Sequence, residues 1–203
     1  MRCPASDPGF ATNPIHGAAA QLILIKQVLR HVKGRGLALD IGAHIGTWTI
    51  PLAGQFRYVV ALEPQPENYA CLLDNLEGID NVAVVQAAAG ASEAHASLAV
   101  TENSGTYFLT KGEGVQVVRL DDIALPGTAP VDFIKLDVEG MEGVALQGAT
   151  GLLTEYKPAV FFEDNGLGAQ HYGPDWIDPK TVLQQHGYYH RGRMAKNELW
   201  LPR

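Results

Sequence analysis

Five apolar runs in this chain end in residues able to do chemistry. Leu37–Ile41 carries Asp40 and leads into Gly42 and Gly46. Tyr58–Leu62 ends at Glu63, Val82–Ala87 at Ala88-Ala89-Gly90, Phe133–Leu136 at Asp137 and Glu139, and Ala159–Phe162 at Glu163 and Asp164. Four of the five ends therefore carry carboxylates on otherwise apolar segments. An ionised carboxylate at such a place needs hydrogen-bond donors, a cation or a proton. Carboxylates grouped beside a ligand are candidate proton acceptors for a hydroxyl nucleophile. Asp137, Glu139 and Glu163 are the candidate catalytic residues, with His44 as an alternative base; the residues alone leave the choice among them open, and Asp137 is the working expectation as base or orienting residue. The same oxygens would suit a hard divalent cation, but no metal is expected.

The turn after the first run narrows the ligand. Two glycines allow a close approach to the backbone, and free N–H groups at a helix start attract an anion. The spacing is Gly42-x-x-x-Gly46, and His44 stands where a dinucleotide fingerprint places its second glycine. A small carboxylate, held in part by the His44 N–H, fits there better than a pyrophosphate. This argues against a nicotinamide oxidoreductase. Asp40 would suit an ammonium group, directly or through water, and Glu63 can accept from a ribose diol. An amino-acid head joined to a ribose describes S-adenosylmethionine.

The elements that must position these residues alternate. After an irregular lead-in, Gly17–Lys33 has apolar residues at helical spacing, with Gly34 and Gly36 to end it. The five apolar runs read as strands buried on both faces. Helices are expected at Gly46–Gly54, kept short by Pro51, and at Pro66–Leu76, with Tyr69, Leu72, Leu73 and Leu76 on one face. Another spans Met141–Tyr156, weakened around Gly148–Gly151, and a last one covers Pro179–His186. Ser97–Val100, Thr106–Thr110 and Val115–Val118 read as antiparallel hairpins. Gly166–Pro179 reads as a loop whose His171, Tyr172 and Trp176 cover the acceptor. Tyr188–Arg191 and Glu198–Leu201 form a closing hairpin. The expected fold is α/β, a doubly wound and mostly parallel sheet with an antiparallel terminal hairpin. One domain is expected over residues 1–203, with a lead-in and helix in 1–35 and a hairpin insertion at 96–118. Lys135, between Ile134 and Leu136, is expected in a buried pair with a carboxylate. His186 and His190 are expected to be structural.

Bulk properties exclude several classes. The 203 residues carry a formal net charge of -7, which argues against phosphate-backbone binding as the main task. Two cysteines, Cys3 and Cys71, do not make a disulfide framework, so a reducing, cytoplasmic setting is expected. No apolar stretch is long enough to span a bilayer, and no targeting segment stands out.

Four segments in order carry a resemblance. They are Asp40-Ile-Gly-Ala-His-Ile-Gly46, Glu63-Pro64 with Asn68 and Asn75, Ala88-Ala89-Gly90, and Ile134-Lys-Leu-Asp-Val-Glu-Gly-Met-Glu142. Together they resemble the FkbM family of S-adenosylmethionine-dependent methyltransferases, over roughly residues 35–165 and on toward the C-terminus. The resemblance implies a class I, Rossmann-like methyltransferase fold whose seven-stranded sheet ends in an antiparallel strand. It implies O-methylation of a hydroxyl on a small molecule or sugar, with no nucleic acid or membrane as partner. A nucleic-acid methyltransferase and a non-catalytic cofactor-binding subunit are the alternatives. Asp40, Gly42, Ala43, His44, Gly46, Glu63, Pro64, Ala88 and Asp137 would then hold the cofactor. The chain departs from the class at Ala88–Ala91, which lacks an acidic residue for the adenine amino group. Backbone groups near Ala88, or Ser92 or Glu93, would have to serve.

Overall fold

The computed structural model describes residues 1–4, 14–100 and 107–203. The N-terminal helix α1 spans Pro14–Leu29. It ends a turn earlier than expected, where the Arg35 guanidinium donates to Leu29 O at 2.7 Å and, beyond the helix, to Val32 O at 2.8 Å. Strand β1 (Leu37–Ile41) leads to the short helix α2 (Thr49–Ala53). Strand β2 (Tyr58–Leu62) is followed by α3 (Pro66–Asn75) and β3 (Val82–Val85). Pro66 opens α3, and the Gln65 side chain caps it by accepting from Asn68 N at 2.6 Å.

The chain then leaves the main sheet. Strands β4 (Ala88–Ala89), β5 (Ala94–Val100), β6 (Tyr107–Lys111) and β7 (Val115–Val118) form a second sheet in the order β4-β7-β5-β6. The expected runs, apart from Thr106, which lies outside the described residues, pair antiparallel as β5–β6 and β5–β7, and the sheet also recruits Ala88-Ala89, which the sequence pattern leaves at the end of the third strand. The chain returns through β8 (Val131–Leu136), α4 (Glu142–Gln147), α5 (Thr150–Glu155) and β9 (Ala159–Glu163). Helices α4 and α5 replace the single expected helix. A Cβ at Gly148 would stand 2.0 Å from Gly90 O, so the break lets the β4 segment come close. Asp121 then caps α5, accepting from Gly151 N at 3.0 Å and Leu152 N at 2.9 Å.

The segment read as a loop after β9 contains α6 (Leu167–Tyr172) and a 3-10 turn (Gly173–Asp175). Helix α7 (Pro179–Gln185), capped by Asp178, leads to β10 (Tyr188–Met194) and β11 (Asn197–Pro202). The main sheet has seven strands in the order β10-β11-β9-β8-β1-β2-β3. Strands β1, β2, β3, β8 and β9 pair in parallel, and β11 enters antiparallel between β9 and β10. This is the expected α/β class, a doubly wound, class I methyltransferase-like sheet.

Alternation along the strands divides the core. Leu37, Leu39, Ile41, Ile134 and Leu136 face α4, α5 and α7, represented by Leu146, Leu153 and Leu183. Ala38, Val59, Phe133 and Phe161 face the other way, toward Val28 and Leu29 of α1 and Leu52 of α2. There Trp48 lies 5.3 Å from the Phe161 ring and 6.4 Å from that of Phe133. Each buried valine, leucine, isoleucine or phenylalanine among them contributes about 1.5–3 kcal/mol. On α3, Leu72 and Leu76 are buried, but Leu73 is exposed, because a step of one residue turns a helix by roughly 100°. No helix among the described residues is long and apolar enough to cross a membrane. Cys3 and Cys71 are free thiols.

Candidate active site

The parallel strands deliver their carboxyl ends to one edge of the sheet, where a pocket opens. Gly42, His44, Glu63, Pro64, Ala88 and Asp137 line it, and so do Glu139 and Glu163. Asp40, Ala43 and Gly46 do not. Ala43 is turned into a small cluster with Ala61, Leu72 and Leu76, and Gly46 abuts Leu72.

Asp40 lies beneath the pocket and is fully buried. It stands opposite Lys135 in the β1–β8 register. Its Oδ2 accepts from Thr49 Oγ1 at 2.6 Å, and its Oδ1 sits 3.1 Å from Lys135 Nζ. The Lys135 ammonium also donates to Gly42 O at 2.7 Å and lies 3.7 Å from Asp137 Oδ2. Burial works against its charge, but Asp40 and Asp137 more than offset this and hold its pKa above the ordinary lysine value. The expected buried pair is thus present, with Asp40 as its carboxylate and the pocket above it. A direct contact between Asp40 and a ligand ammonium is closed off by this arrangement.

The turn itself is held from within. Gly42 N and Ala43 N both donate to Leu62 O at 2.9 Å, and Gly46 N donates to Ala43 O at 2.9 Å. His44, at φ +53°, donates its N–H to Glu63 Oε2 at 2.8 Å, so that N–H serves Glu63 rather than a ligand carboxylate. Gly42 has φ +76°, and a Cβ there would stand 1.9 Å from Asp137 O. Its glycine is therefore required by the crossing of two chain segments. Helix α2 begins only at Thr49, so the turn does not run straight into a helix start. Thr47 lines the pocket, and among the described residues its N–H is not spent inside the turn.

Glu63 is buried at the end of β2. Besides His44 it accepts from Gln65 N at 3.0 Å and Asn68 Nδ2 at 3.5 Å. Burial raises its pKa, and these donors pull the other way. Three donors leave room for one further donor on a carboxylate with about four acceptor sites. Beyond Glu63 the wall is Ala87, Ala88 and Ala89, with Leu98 and Leu109 from the second sheet. Ser92 and Glu93 are exposed and do not line the pocket.

The opposite rim is acidic. One oxygen from each of Asp137, Glu139 and Glu163 lies within 4.8 Å of the others, a set that could hold a hard cation or accept a proton. Glu139 has φ +53° and its pKa is pushed up to about 7, first by burial and then by the charges of Asp137 and Glu163. Glu163 is raised too, by burial and by Asp137. Asn165 joins the two, donating to Glu163 Oε2 at 2.9 Å and Glu139 Oε2 at 3.3 Å. Below them Glu142 is buried, accepts from Val138 N at 3.0 Å and Gly140 N at 3.3 Å, and is also pushed up to about 7 by burial. Asp164 turns away from the rim to Lys180, 2.8 Å distant.

His171, Tyr172 and Trp176 do not line the pocket, and the first two buttress it from behind. His171 stacks on Phe108 at 4.5 Å, and the Tyr172 hydroxyl accepts from Leu109 N at 3.1 Å. Helix α6 thereby holds the second sheet against the pocket. His186 bonds Val182 O at 2.9 Å and His190 faces Glu198 at 3.4 Å, both structural roles. Sequence reasoning missed Thr47, Leu98, Leu109 and Met141 as lining residues. Asn165, two residues after Glu163, was the one catalytic-side partner that spacing alone could have flagged.

Comparison with known proteins agrees with this fold. A family model described as the methyltransferase FkbM domain matches residues 40–189. No curated protein matches the chain. Among solved structures, methyltransferase FkbM from Methylobacillus flagellatus KT is similar with a TM-score of 0.58 and 21% identity. That alignment covers 82% of this chain and 43% of the other, so this chain spans less than half of that protein's length. N-methyltransferase NodS from Bradyrhizobium japonicum WM9 gives a TM-score of 0.55 at 11% identity, covering 94% and 98% of the two chains. The T. thermophilus 16S rRNA N2 G1207 methyltransferase, solved with AdoMet and guanosine, gives 0.52 at 16%, covering 91% and 43%. At these identities the structures speak for the fold.

Proposed function

The chain belongs to the FkbM methyltransferase family, and on that premise we propose that it methylates a hydroxyl oxygen of a small molecule or sugar using S-adenosylmethionine. The observation that carries the reading is the pairing of a glycine turn and Glu63 on one side of the pocket with three clustered carboxylates on the other. The donor set fits the cofactor. Glu63, Asp137, Glu139 and Glu163 face the pocket, and Lys135 is the one lysine or arginine among its described lining residues. Such a lining favours a ligand with ammonium and sulfonium charges and disfavours a pyrophosphate. Glu63 would hold the ribose, the Thr47 N–H the amino-acid end where it packs against Gly42, and Ala87–Ala89 the base.

When bound, S-adenosylmethionine supplies a methyl group already activated for transfer. What remains for the protein is alignment, worth roughly 7–11 kcal/mol in well-oriented systems, and removal of one proton. Glu139 is the residue suited to that proton, because a base with a pKa near 7 is half-ready at neutral pH and gains driving force over an ordinary carboxylate. Asp137, steadied by Lys135, orients the acceptor. With Glu163 it keeps the proton affinity of Glu139 high. The acidic rim supports a neutral or cationic acceptor over a nucleic acid, whose phosphates it would repel. Two free thiols support a cytoplasmic setting.

The test is incubation with S-adenosylmethionine and a library of sugars, polyols and phenols, with release of S-adenosylhomocysteine as readout. Turnover on a hydroxyl compound supports the reading. Turnover confined to amines or to RNA overturns the acceptor assignment.

A further inference from the structure

Lys135 occupies an unusual place for a lysine. It sits inside the central strand of the sheet, is 4% exposed, and is flanked by Ile134 and Leu136, both with no exposure. A lone counter-ion for Asp40 would need one contact. Lys135 has three, and they come from three different segments: Gly42 O in the turn after β1, Asp40 Oδ1 within β1, and Asp137 Oδ2 beyond the end of β8. The register places Lys135 opposite Asp40, so the ammonium is delivered to the floor of the pocket by strand pairing alone.

We propose that Lys135 is a positioning residue, whose ammonium group fixes the cofactor turn and Asp137 relative to each other. The inference rests on the methyl-transfer reading, since it assigns Gly42 to the cofactor side and Asp137 to the acceptor side. Although Lys135 lines the floor of the pocket, its ammonium is engaged by these oxygens, so it acts through Gly42 and Asp137. The same crossing is tightened by the contact of Gly42 with the Asp137 backbone, where even a methyl group has no room. A positively charged tie at that crossing also offsets part of the repulsion between Asp137 and its acidic neighbours.

Removing Lys135 alone would strand the buried Asp40 carboxylate, and the fold would suffer for that reason. The informative comparison is therefore Asp40→Asn against Asp40→Asn/Lys135→Met. The pair is matched by melting temperature, then titrated with S-adenosylhomocysteine. It is also assayed on the hydroxyl compound that the wild-type chain methylates fastest in the library. The expected result is similar melting temperatures, with affinity for S-adenosylhomocysteine and kcat each lower by about tenfold or more in the double variant, because small displacements at a reacting pair are costly. KM for the acceptor stays within about threefold. If either the affinity or kcat of the double variant stays within about threefold of Asp40→Asn, the tie is overturned and Lys135 only neutralises Asp40. Failure of the underlying reading looks different: the wild-type chain itself would then bind no S-adenosylhomocysteine.

Discussion

Two groups of charges lie at the same edge of the sheet and are treated in opposite ways. The Asp40–Lys135 pair is sealed, and each partner meets a group of opposite sign. The Asp137–Glu139–Glu163 group is half-buried, clustered and short of positive charge, so that Glu139 is pushed up to about 7. The first arrangement spends charge on holding strands and a turn together. The second keeps a carboxylate close to its protonation point, which is useful for moving a proton and unhelpful for stability. Carboxylates at strand ends are thus not interchangeable. What separates them is the sign of the nearest charges: Asp40 is matched by Lys135, whereas Glu139 stands beside the carboxylates of Asp137 and Glu163.

Substitutions can break this contrast. The largest expected effect is on turnover: Glu139→Gln removes the proposed base and lowers kcat by about 10²–10⁴-fold. S-adenosylhomocysteine affinity, measured by calorimetry, stays within about threefold. A loss confined to binding would move Glu139 to the cofactor side. Lys135→Met alone tests the sealed group, and urea denaturation should show a loss of about 3–5 kcal/mol, because a buried carboxylate is left uncompensated. A loss below about 1 kcal/mol, as for a surface pair, would mean that water reaches Asp40. Gly42→Ala strikes the crossing between the two groups. With a Cβ placed 1.9 Å from Asp137 O at positive φ, it should cost about 2–3 kcal/mol by the same method.

The smallest effect is on pH dependence and carries a definite sign. Glu139 and Glu142 have raised values in the folded chain, so the folded state binds more protons than the unfolded one between about 4.5 and about 7. Their contribution to stability is therefore fully present below the lower value and is lost as pH rises through the upper one. Melting temperature should fall across that window. Glu142→Gln should flatten the fall by an amount on the order of 1 kcal/mol, and the partly solvated Glu139→Gln by less. A melting temperature that rises across the window would show that their hydrogen-bond donors outweigh burial.

Much of this was legible in the residues because period and punctuation act locally. Leu37–Ile41 and Tyr58–Leu62 are strands with the expected limits, and Pro51 keeps α2 short as its geometry requires. The acidic strand ends pointed to one edge of the sheet, where Asp137, Glu139 and Glu163 meet. What stayed hidden depends on partners distant in sequence. Asp40 looked free to meet a ligand because nothing local reveals that Lys135 stands opposite it 95 residues later. His44 N–H looked available because Glu63, its acceptor, comes from the next strand. The α4–α5 break could be placed by its glycines, but the Gly90 carbonyl that crowds Gly148 comes from the segment after β4. Helix α6 escaped notice because it is only six residues long, carries Gly168 inside it, and is held by contacts with β6.

The central claim is that the pocket beside Gly42 and Glu63 takes S-adenosylmethionine. Calorimetric titration with S-adenosylhomocysteine, run beside NAD, addresses it without knowledge of the acceptor. The account predicts saturable one-to-one binding of S-adenosylhomocysteine, abolished by Glu63→Ala in a variant that still melts cooperatively, and no heat with NAD. Saturable binding of NAD with none of S-adenosylhomocysteine would contradict it.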